Sequence, residues 1–463
     1  MKVDVMLYNL KKETETALID CANSLYPAYV RFVSDKTALN SGDALLIVGN
    51  GDAANYGGPI VDHLDPDGMD TDELLYHFCA KLGKLSRSDS ITAKTDFVAK
   101  DFNLSRRDFL VGIKNGFQVF SDFPLTFEGI CEAKYGCRKC IDACPVGALE
   151  FDRHLRLDNS KCIKCGICAG VCPVGAIQMP KFSEEAFIGL LEGLNAVNAP
   201  YRALVLTTDD RSVQRIPWVH VEKVDDVGMI GSRWVSMALA SGIDAFVVHC
   251  PDGNCAGKDM ARAAIESVSS TVMDGVGRAI YSEQREITSM EIVKGSIDHI
   301  SSFSHYDSWF NYTVSLKAIL KPEASANGLQ IYDVSVSDSC TLCGACVSKC
   351  PHAAFAIVLE GGNAKLSFNQ SLCTGCGYCV NVCPEGAIKL ESAKRVNLKA
   401  VNVFADELIR CARCGKPLYT KKFYDNLVKR LGREDPMLKY CNECKQKIIY
   451  ERMFRKPEKG DLR

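Results

Sequence analysis

The sequence predicts a multi-domain chain of mixed α/β and α+β class, and three observations carry that expectation. A chain of 463 residues leaves room for about three to five domains of ~100–150 residues each. Apolar runs bounded by turn residues alternate with amphipathic stretches over residues 1–100 and again over 181–325, as short buried strands and their covering helices do. The 24 cysteines fall largely into sets of four at short spacings, and residues 129–180 and 332–392 repeat one another. A net charge of −2 gives no overall field that selects nucleic acid or membrane. No apolar run reaches the ~18 residues of a spanning helix, and the opening MKVDVMLYNLKKETE lacks the apolar core of a secretory leader. A cytoplasmic, reducing location is therefore expected, and there dense Cys-x-x-Cys spacing means metal.

Residues 1–100 read as a small α/β domain. VDVMLYN, YVRFV and ALLIVGNG are strand-like, and TDELLYHFCAKLGKL has helical period. The stretch 49–54, GNGDAA, fits G-x-G-x-x-A, but NYGGP follows it where a dinucleotide site needs a helix to open. A tight turn is the better reading. Residues 101–128 are expected to form a helical connector. Its SRRDFL, from Ser105 to Leu110, looks like a twin-arginine export signal, yet such a signal belongs at an N-terminus before an unbroken apolar run. An N-capped amphipathic helix is expected instead.

The segments 129–180 and 332–392 each carry eight cysteines. Three runs follow C-x2-C-x2-C-x3-C-P: Cys162, Cys165, Cys168, Cys172; Cys340, Cys343, Cys346, Cys350; and Cys373, Cys376, Cys379, Cys383. Three thiolates two residues apart curl around one face of an iron–sulfur cube, while the fourth, set back before proline, reaches the other cluster of a two-cluster module. Gly166, Gly344 and Gly377 permit the close wrap. In 332–392 this rule assigns Cys340, Cys343, Cys346 and Cys383 to one cluster, and Cys373, Cys376, Cys379 and Cys350 to the other. In 129–180 it assigns Cys162, Cys165, Cys168 and Cys144 to one cluster, leaving Cys137, Cys140, Cys172 and a fourth ligand. Cys131 is the expected fourth, although the five residues EAKYG separate it from Cys137. The alternative is a three-iron cluster without Cys131.

These segments resemble bacterial-type two-[4Fe–4S] ferredoxin domains, down to the tails CPVGAL, CPVGAI and CPEGAI; CPHAAF departs in detail. The resemblance implies two ferredoxin-like bi-cluster modules and four [4Fe–4S] clusters. Zinc knuckles do not call for the offset cysteine before proline, and paired clusters suit electron hopping better than stapling.

Residues 181–325 read as the second small α/β domain. RALVLTT and AFVVHC are buried strands, and GMIGSRWVSMALASG is a helix closed by Gly242. SIDHISSFSHYDSWFNYTVSLKAIL is a long helical stretch ending at Pro322, before the linker EASANG. Within it, HCPDGNCAGKD (249–259) holds Cys250 and Cys255 outside any set of four. The block from about 200 to 268 resembles the iron–sulfur domain of the delta subunit of methyl-viologen-reducing hydrogenase, also found fused to heterodisulfide-reductase flavoproteins. The residues DDVGMIGSRWVSMALASGIDAFVVHCPDGNC carry the resemblance. In that family the two cysteines join others from upstream strand ends on a [2Fe–2S] cluster. Here those strand ends offer Thr207, Thr208, Asp209, Glu222 and Lys223, and Ala256 stands where a histidine usually follows. The leading expectation is a fold kept without its cofactor as a docking platform. A mixed site using His220 or His249, and a redox-active Cys250–Cys255 pair, stay open. Cys21 and Cys79 read as small core residues.

Residues 394–463 hold Cys411, Cys414, Cys441 and Cys444, two Cys-x-x-Cys knuckles 26 residues apart. Four such thiolates make a tetrahedral site, so a C-terminal zinc-ribbon-like domain with one zinc ion is expected; a single rubredoxin-like iron is the rival. This tail carries 19 Lys/Arg against 9 Asp/Glu, or +10, leaving −12 for the rest.

No P-loop or hydrolytic constellation is visible, so no catalytic residue is assigned. The expected function is that of an iron–sulfur electron-transfer subunit of a larger oxidoreductase in anaerobic metabolism, rather than a stand-alone catalyst. The hydrogenase resemblance implies partner subunits of flavoprotein, hydrogenase or heterodisulfide-reductase type, and nucleic acid is not an expected partner. Two rival classes are a nucleic-acid-associated protein with structural clusters and a basic zinc ribbon, and a flavin-containing catalytic subunit.

Overall fold

The structure is a computed structural model. It describes residues 3–8, 10–33, 44–49, 61–87, 123–290, 294–295, 300, 303–304, 307–321 and 324–454. Residues 50–54 of the G-x-G-x-x-A stretch, the SRRDFL stretch and most of the expected connector lie outside them. The chain forms two compact units, Met1–Gln330 and Ile331–Arg463.

The first unit opens with Val3–Leu7 (β1), helix Lys12–Leu25 (α1), Val30–Phe32 (β2), Ala44–Val48 (β3), Val61–Leu64 (β4) and helix Thr71–Arg87 (α2). The four strands form a parallel sheet in the order β2-β1-β3-β4. β1 and β3 are buried almost throughout, and a parallel strand covered on both faces reads as a near-continuous apolar run. The one acid within β1, Asp4, is buried and takes two hydrogen bonds from Arg31 of β2, at 2.7 and 2.6 Å.

The first cysteine-rich segment is framed by Leu125–Thr126 (β5), Leu149–Phe151 (β6), Leu155–Leu157 (β7) and Ile177–Gln178 (β8). β5 pairs with β8 and β6 with β7, both antiparallel, so the two ends of the segment meet. Helix Glu184–Asn195 (α3) follows, capped by Ser183, whose Oγ accepts from the Ala186 N–H at 3.1 Å. A second parallel sheet then forms from Ala203–Thr207 (β9), Val219–Lys223 (β10), helix Ser232–Ala240 (α4), Ala245–His249 (β11), helix Lys258–Ser269 (α5) and Arg278–Ser282 (β12). Its order is β10-β9-β11-β12. Strand order reverses between β9 and β11, and open parallel sheets bind ligands at the carboxyl ends beside such a reversal. Among the described residues of the stretch expected as one long helix before Pro322, Ser308–Ile319 is helical (α6), and Asp307 caps it by accepting from the Phe310 N–H at 2.9 Å.

α2 shows where helical period misleads. Lys81 and Lys84 fall on what reads as its polar stripe, yet both are buried. Lys81 reaches Asp62 at 2.7 Å, and Lys84 reaches Asp62 at 2.7 Å and Glu222 of β10 at 2.5 Å. His77 meets His220 with Nδ1 atoms 3.0 Å apart. The helix is buried all round because α3 crosses it at backbone contact distance. A Cβ on Gly83 would lie 2.0 Å from the Gly189 carbonyl oxygen, and one on Gly193 would lie 2.1 Å from that of Cys79. Only glycine allows this approach. The thiols of Cys21 and Cys79 also meet here, Sγ–Sγ 2.7 Å.

In the second unit, Tyr332–Val336 (β13), Phe355–Glu360 (β14), Asn363–Asn369 (β15), Ile388–Ser392 (β16), Ala400–Arg410 (β17) and Pro417–Thr420 (β18) precede helices Lys421–Leu431 (α7) and Asn442–Phe454 (α8). β13 pairs antiparallel with β16, and β14-β15-β17-β18 form an antiparallel sheet. The β14–β15 hairpin turns on Gly361 and Gly362, with φ of 60° and 87°, the two positive values that a two-residue hairpin turn needs. β17 pairs with β15 along one part and with β18 at its far end. Residues beyond 394 are thereby hydrogen-bonded into the sheet of the second cysteine-rich segment.

Replacing Gly189 by alanine should destabilise the first unit by about 1–3 kcal/mol, because its methyl group meets backbone rather than a movable side chain. A lower midpoint in denaturant titration checks this. Burial, together with His220, Lys81 and Arg215, holds the His77 pKa well below its usual value, and burial lowers that of His220. Unfolded, both imidazoles take up protons near pH ~6.5, so stability should fall as pH drops below about 6.5. Melting curves of the H77Q/H220Q variant should show a shallower loss over that range.

Candidate metal centres

The sites are built from one turn used four times. After Cys144, Cys172, Cys350 and Cys383, the chain passes through a residue with positive φ: Gly147 (59°), Gly175 (64°), Ala353 (52°) and Gly386 (58°). The next N–H then points back at the cysteine. Ala148, Ala176, Ala354 and Ala387 donate to the four Sγ atoms at 3.2, 3.2, 3.3 and 3.3 Å. A second left-handed residue stands just before the middle cysteine of each run: Gly136, Lys164, Leu342 and Gly375. Gly166, Gly344 and Gly377, also left-handed, start the short helices that follow. Alternating handedness turns successive N–H groups inward, forming a concavity that suits anionic sulfur.

The thiols gather in crossed groups. Burial and the neighbouring Cys172, Cys137 and Cys131 push the Cys140 pKa up to about 12. Burial raises that of Cys165, which faces Asp226, Cys144 and Cys162, and burial with Cys165, Cys140 and Cys162 raises that of Cys168. Burial with Cys383 and Cys343 raises Cys340, and burial with Cys340 and Cys343 raises Cys346 to about 11. Burial raises Cys373 and Cys379 to about 12, and both face Cys376 and Cys350. Within each segment the two groups adjoin, through Cys140 and Cys168 in one and through Cys346 and Cys379 in the other. The insertion between Cys131 and Cys137 forms one 3-10 turn, Ala133–Tyr135, closed by Gly136 at φ 108°, and returns Cys131 to the neighbourhood of Cys137 and Cys140.

Buried thiols at such pKa values ionise only where a cation replaces the proton. In the second unit, Cys340, Cys343, Cys346 and Cys383 line one pocket with Ile357 and Leu366. Convergent thiols, inward N–H groups and an apolar wall fit a cluster. In the first unit, buried Arg233 supports the Cys172 turn. It donates to the Cys172 carbonyl and, through Nε, to Glu184 at 2.6 Å.

Cys411, Cys414, Cys441 and Cys444 bring their sulfur atoms within 4.8 Å of one another. The first knuckle follows β17 and turns on Gly415 at φ 74°; the second opens α8. Backbone N–H groups of Cys441, Cys414 and Arg413 outweigh the desolvation of Cys411 and bring its pKa down to about 6. A tetrahedral metal fits this set.

The central HCPDGNC motif departs from every set of four. Cys250 and Cys255 are joined as a disulfide. His249 engages both ring nitrogens, Nδ1 with Thr207 at 3.1 Å and Nε2 with the Gln284 carbonyl at 2.8 Å, so it offers no nitrogen for mixed ligation. Sequence reasoning missed the role of Asp226, whose carboxylate accepts from the Ala256 and Gly257 N–H groups at 2.9 Å each while facing Cys165. No spacing signal marks it.

Family models identify two 4Fe-4S dicluster domains, at residues 135–176 and 334–390. No curated protein matches the chain. The chain therefore carries two ferredoxin-type dicluster domains within a mixed α/β architecture. No helix among the described residues is long and apolar enough to cross a membrane.

Ala353 alone of the four turn residues places a Cβ in the left-handed region, which costs about 1–2 kcal/mol. Ala353→Gly should stabilise the second unit by about 1 kcal/mol after the added entropy of glycine. Gly386→Ala should destabilise it by a similar amount; paired thermal melts check both.

Proposed function

We propose that this protein is an electron-transfer subunit of a larger oxidoreductase complex, relaying electrons through four [4Fe–4S] clusters. The crossed grouping of sixteen cysteines carries the reading. Cys131, Cys137, Cys140 and Cys172 hold one cluster, and Cys144, Cys162, Cys165 and Cys168 the next. Cys340, Cys343, Cys346 and Cys383 hold the third, and Cys350, Cys373, Cys376 and Cys379 the fourth. Bound clusters supply reversible one-electron chemistry. The chain supplies the rest: inward N–H groups that offset charge on sulfur, burial that excludes water, and a shared wall between the two groups of each domain. Cys343 is exposed, which opens its group to a docked partner. The C-terminal four cysteines hold one zinc ion that orders the basic tail. Partners are redox subunits of flavoprotein, hydrogenase or heterodisulfide-reductase type, a reading supported by the resemblance of residues 200–268 to the hydrogenase delta subunit.

Anaerobic purification should yield about sixteen iron and sixteen sulfide per chain, with reversible bleaching on reduction, and one zinc. An iron-free protein with zinc at every cysteine set would sink the reading. Cys131→Ser should cost iron from one cluster only and change the paramagnetic resonance of the reduced protein. An unchanged iron count would remove Cys131 from the ligand set. Cys414→Ser should abolish zinc binding while sparing the iron content.

A further inference from the structure

We infer that the Cys250–Cys255 disulfide is redox-active. It takes electrons from the iron–sulfur centre of Cys144, Cys162, Cys165 and Cys168, and passes them to a disulfide substrate by thiol–disulfide exchange. The inference rests on the electron-transfer reading and adds to it a chemical outlet.

Position is the first support. The pair follows β11 at the carboxyl edge of the parallel sheet, beside the reversal between β9 and β11 where such sheets place their ligands. Thr208, just past the end of β9, brings its hydroxyl to 3.6 Å from the Cys255 sulfur. A disulfide between residues five apart restrains little of the unfolded chain, so stapling is a poor account of it.

Contact with the first dicluster domain is the second support. A Cβ on Gly228 would lie 2.3 Å from the Cys165 carbonyl oxygen and 2.9 Å from the Gly257 Cα. The backbones of Cys165, Gly228 and Gly257 thus pack against one another, with the Ile167 and Asp226 side chains beside them. Gly257 is two residues from Cys255, at most ~7 Å of extended chain. Asp226 ties the same two loops, accepting from the Ala256 and Gly257 N–H groups while facing the Cys165 thiol. Electron transfer falls steeply with distance, and the loops that carry these two redox groups are joined by close backbone contacts through Gly228.

The two sulfurs are also unequal. Cys250 is fully buried, whereas Cys255 retains 8% of its surface. The Cys255 N–H donates to the Cys250 sulfur at 3.0 Å, poised to hold that sulfur as a thiolate once the bond opens. In the reductive half, the S–S bond takes up two electrons, which a cluster held by Cys144, Cys162, Cys165 and Cys168 would supply one at a time, and two protons from water, giving two thiols. In the second half, the Cys255 thiolate attacks a substrate disulfide RS–SR′. A mixed disulfide forms and RSH leaves with one proton. Cys250 then attacks the Cys255 sulfur, R′SH leaves with the other proton, and the internal disulfide is restored.

The test uses the anaerobic full-length protein and reduced methyl viologen as one-electron donor. Samples are denatured with N-ethylmaleimide, and the peptide containing both cysteines is weighed. The expected result is no label before reduction and label on both cysteines after it. Cys165→Ser should slow labelling by about tenfold or more, while Cys340→Ser in the other domain should not. Hydroxyethyl disulfide added to the reduced protein should return the pair to the unlabelled form. Cluster bleaching with both cysteines still unlabelled would overturn the inference and leave the electron-transfer reading intact. So would labelling that is equally fast in Cys165→Ser, and a pair that stays reduced in the presence of hydroxyethyl disulfide would overturn the exchange step. Absence of bleaching would sink the electron-transfer reading itself, and this inference with it.

Discussion

The cysteine before each proline lies with the three cysteines of the opposite half of its domain, and the rest of the two cysteine-rich segments follows from that crossing. A half-domain cannot complete a group of four thiols alone. Its backbone must bring a distant cysteine back, and the antiparallel pairs β5–β8 and β13–β16 close each segment end to end to do so. The same demand explains the left-handed residues, which turn N–H groups toward sulfur. Where the chain departs from glycine, at Lys164, Leu342 and Ala353, it accepts backbone strain to keep the turn.

A second constraint builds the first unit. α2 and α3 cross with glycine against backbone, and this approach carries a set of charges out of solvent. Asp62, Lys81, Lys84 and Glu222 compensate one another there, because a lone buried charge would cost several kcal/mol. Lys81 and Lys84 draw the pKa values of Asp62 and Glu222 down against burial, which alone would raise them. The packing joins the N-terminal sheet to the second parallel sheet. Through Gly228 and Gly257, that second sheet is fitted against the first dicluster domain. Three layers that look separable along the chain are thus continuous in the core.

Much of the site was legible from spacing alone. Spacing predicted the crossed assignment of Cys144, Cys172, Cys350 and Cys383 from the motif and its proline, because a fixed loop geometry leaves one place for each thiol. The convergence of Cys411, Cys414, Cys441 and Cys444 was legible for the same reason. Cys131 was harder, since five intervening residues fix no geometry; a 3-10 turn closed by Gly136 decides where it goes. Helical period assigned α2 a wet face it does not have, because period reports which residues share a side and not what covers it.

By itself, then, the sequence determined the two dicluster domains and the mixed α/β class, both set by patterns within a few tens of residues. Tertiary structure alone decided that Lys81 and Lys84 are buried, that β17 joins the sheet of the second dicluster domain, and that Cys250 and Cys255 bond to each other. It also decided that their loop rests against the backbone of Cys165. These outcomes depend on which surfaces meet, and residues as far apart as Gly83 and Gly189, or Cys165, Gly228 and Gly257, carry no mark of their encounter along the chain.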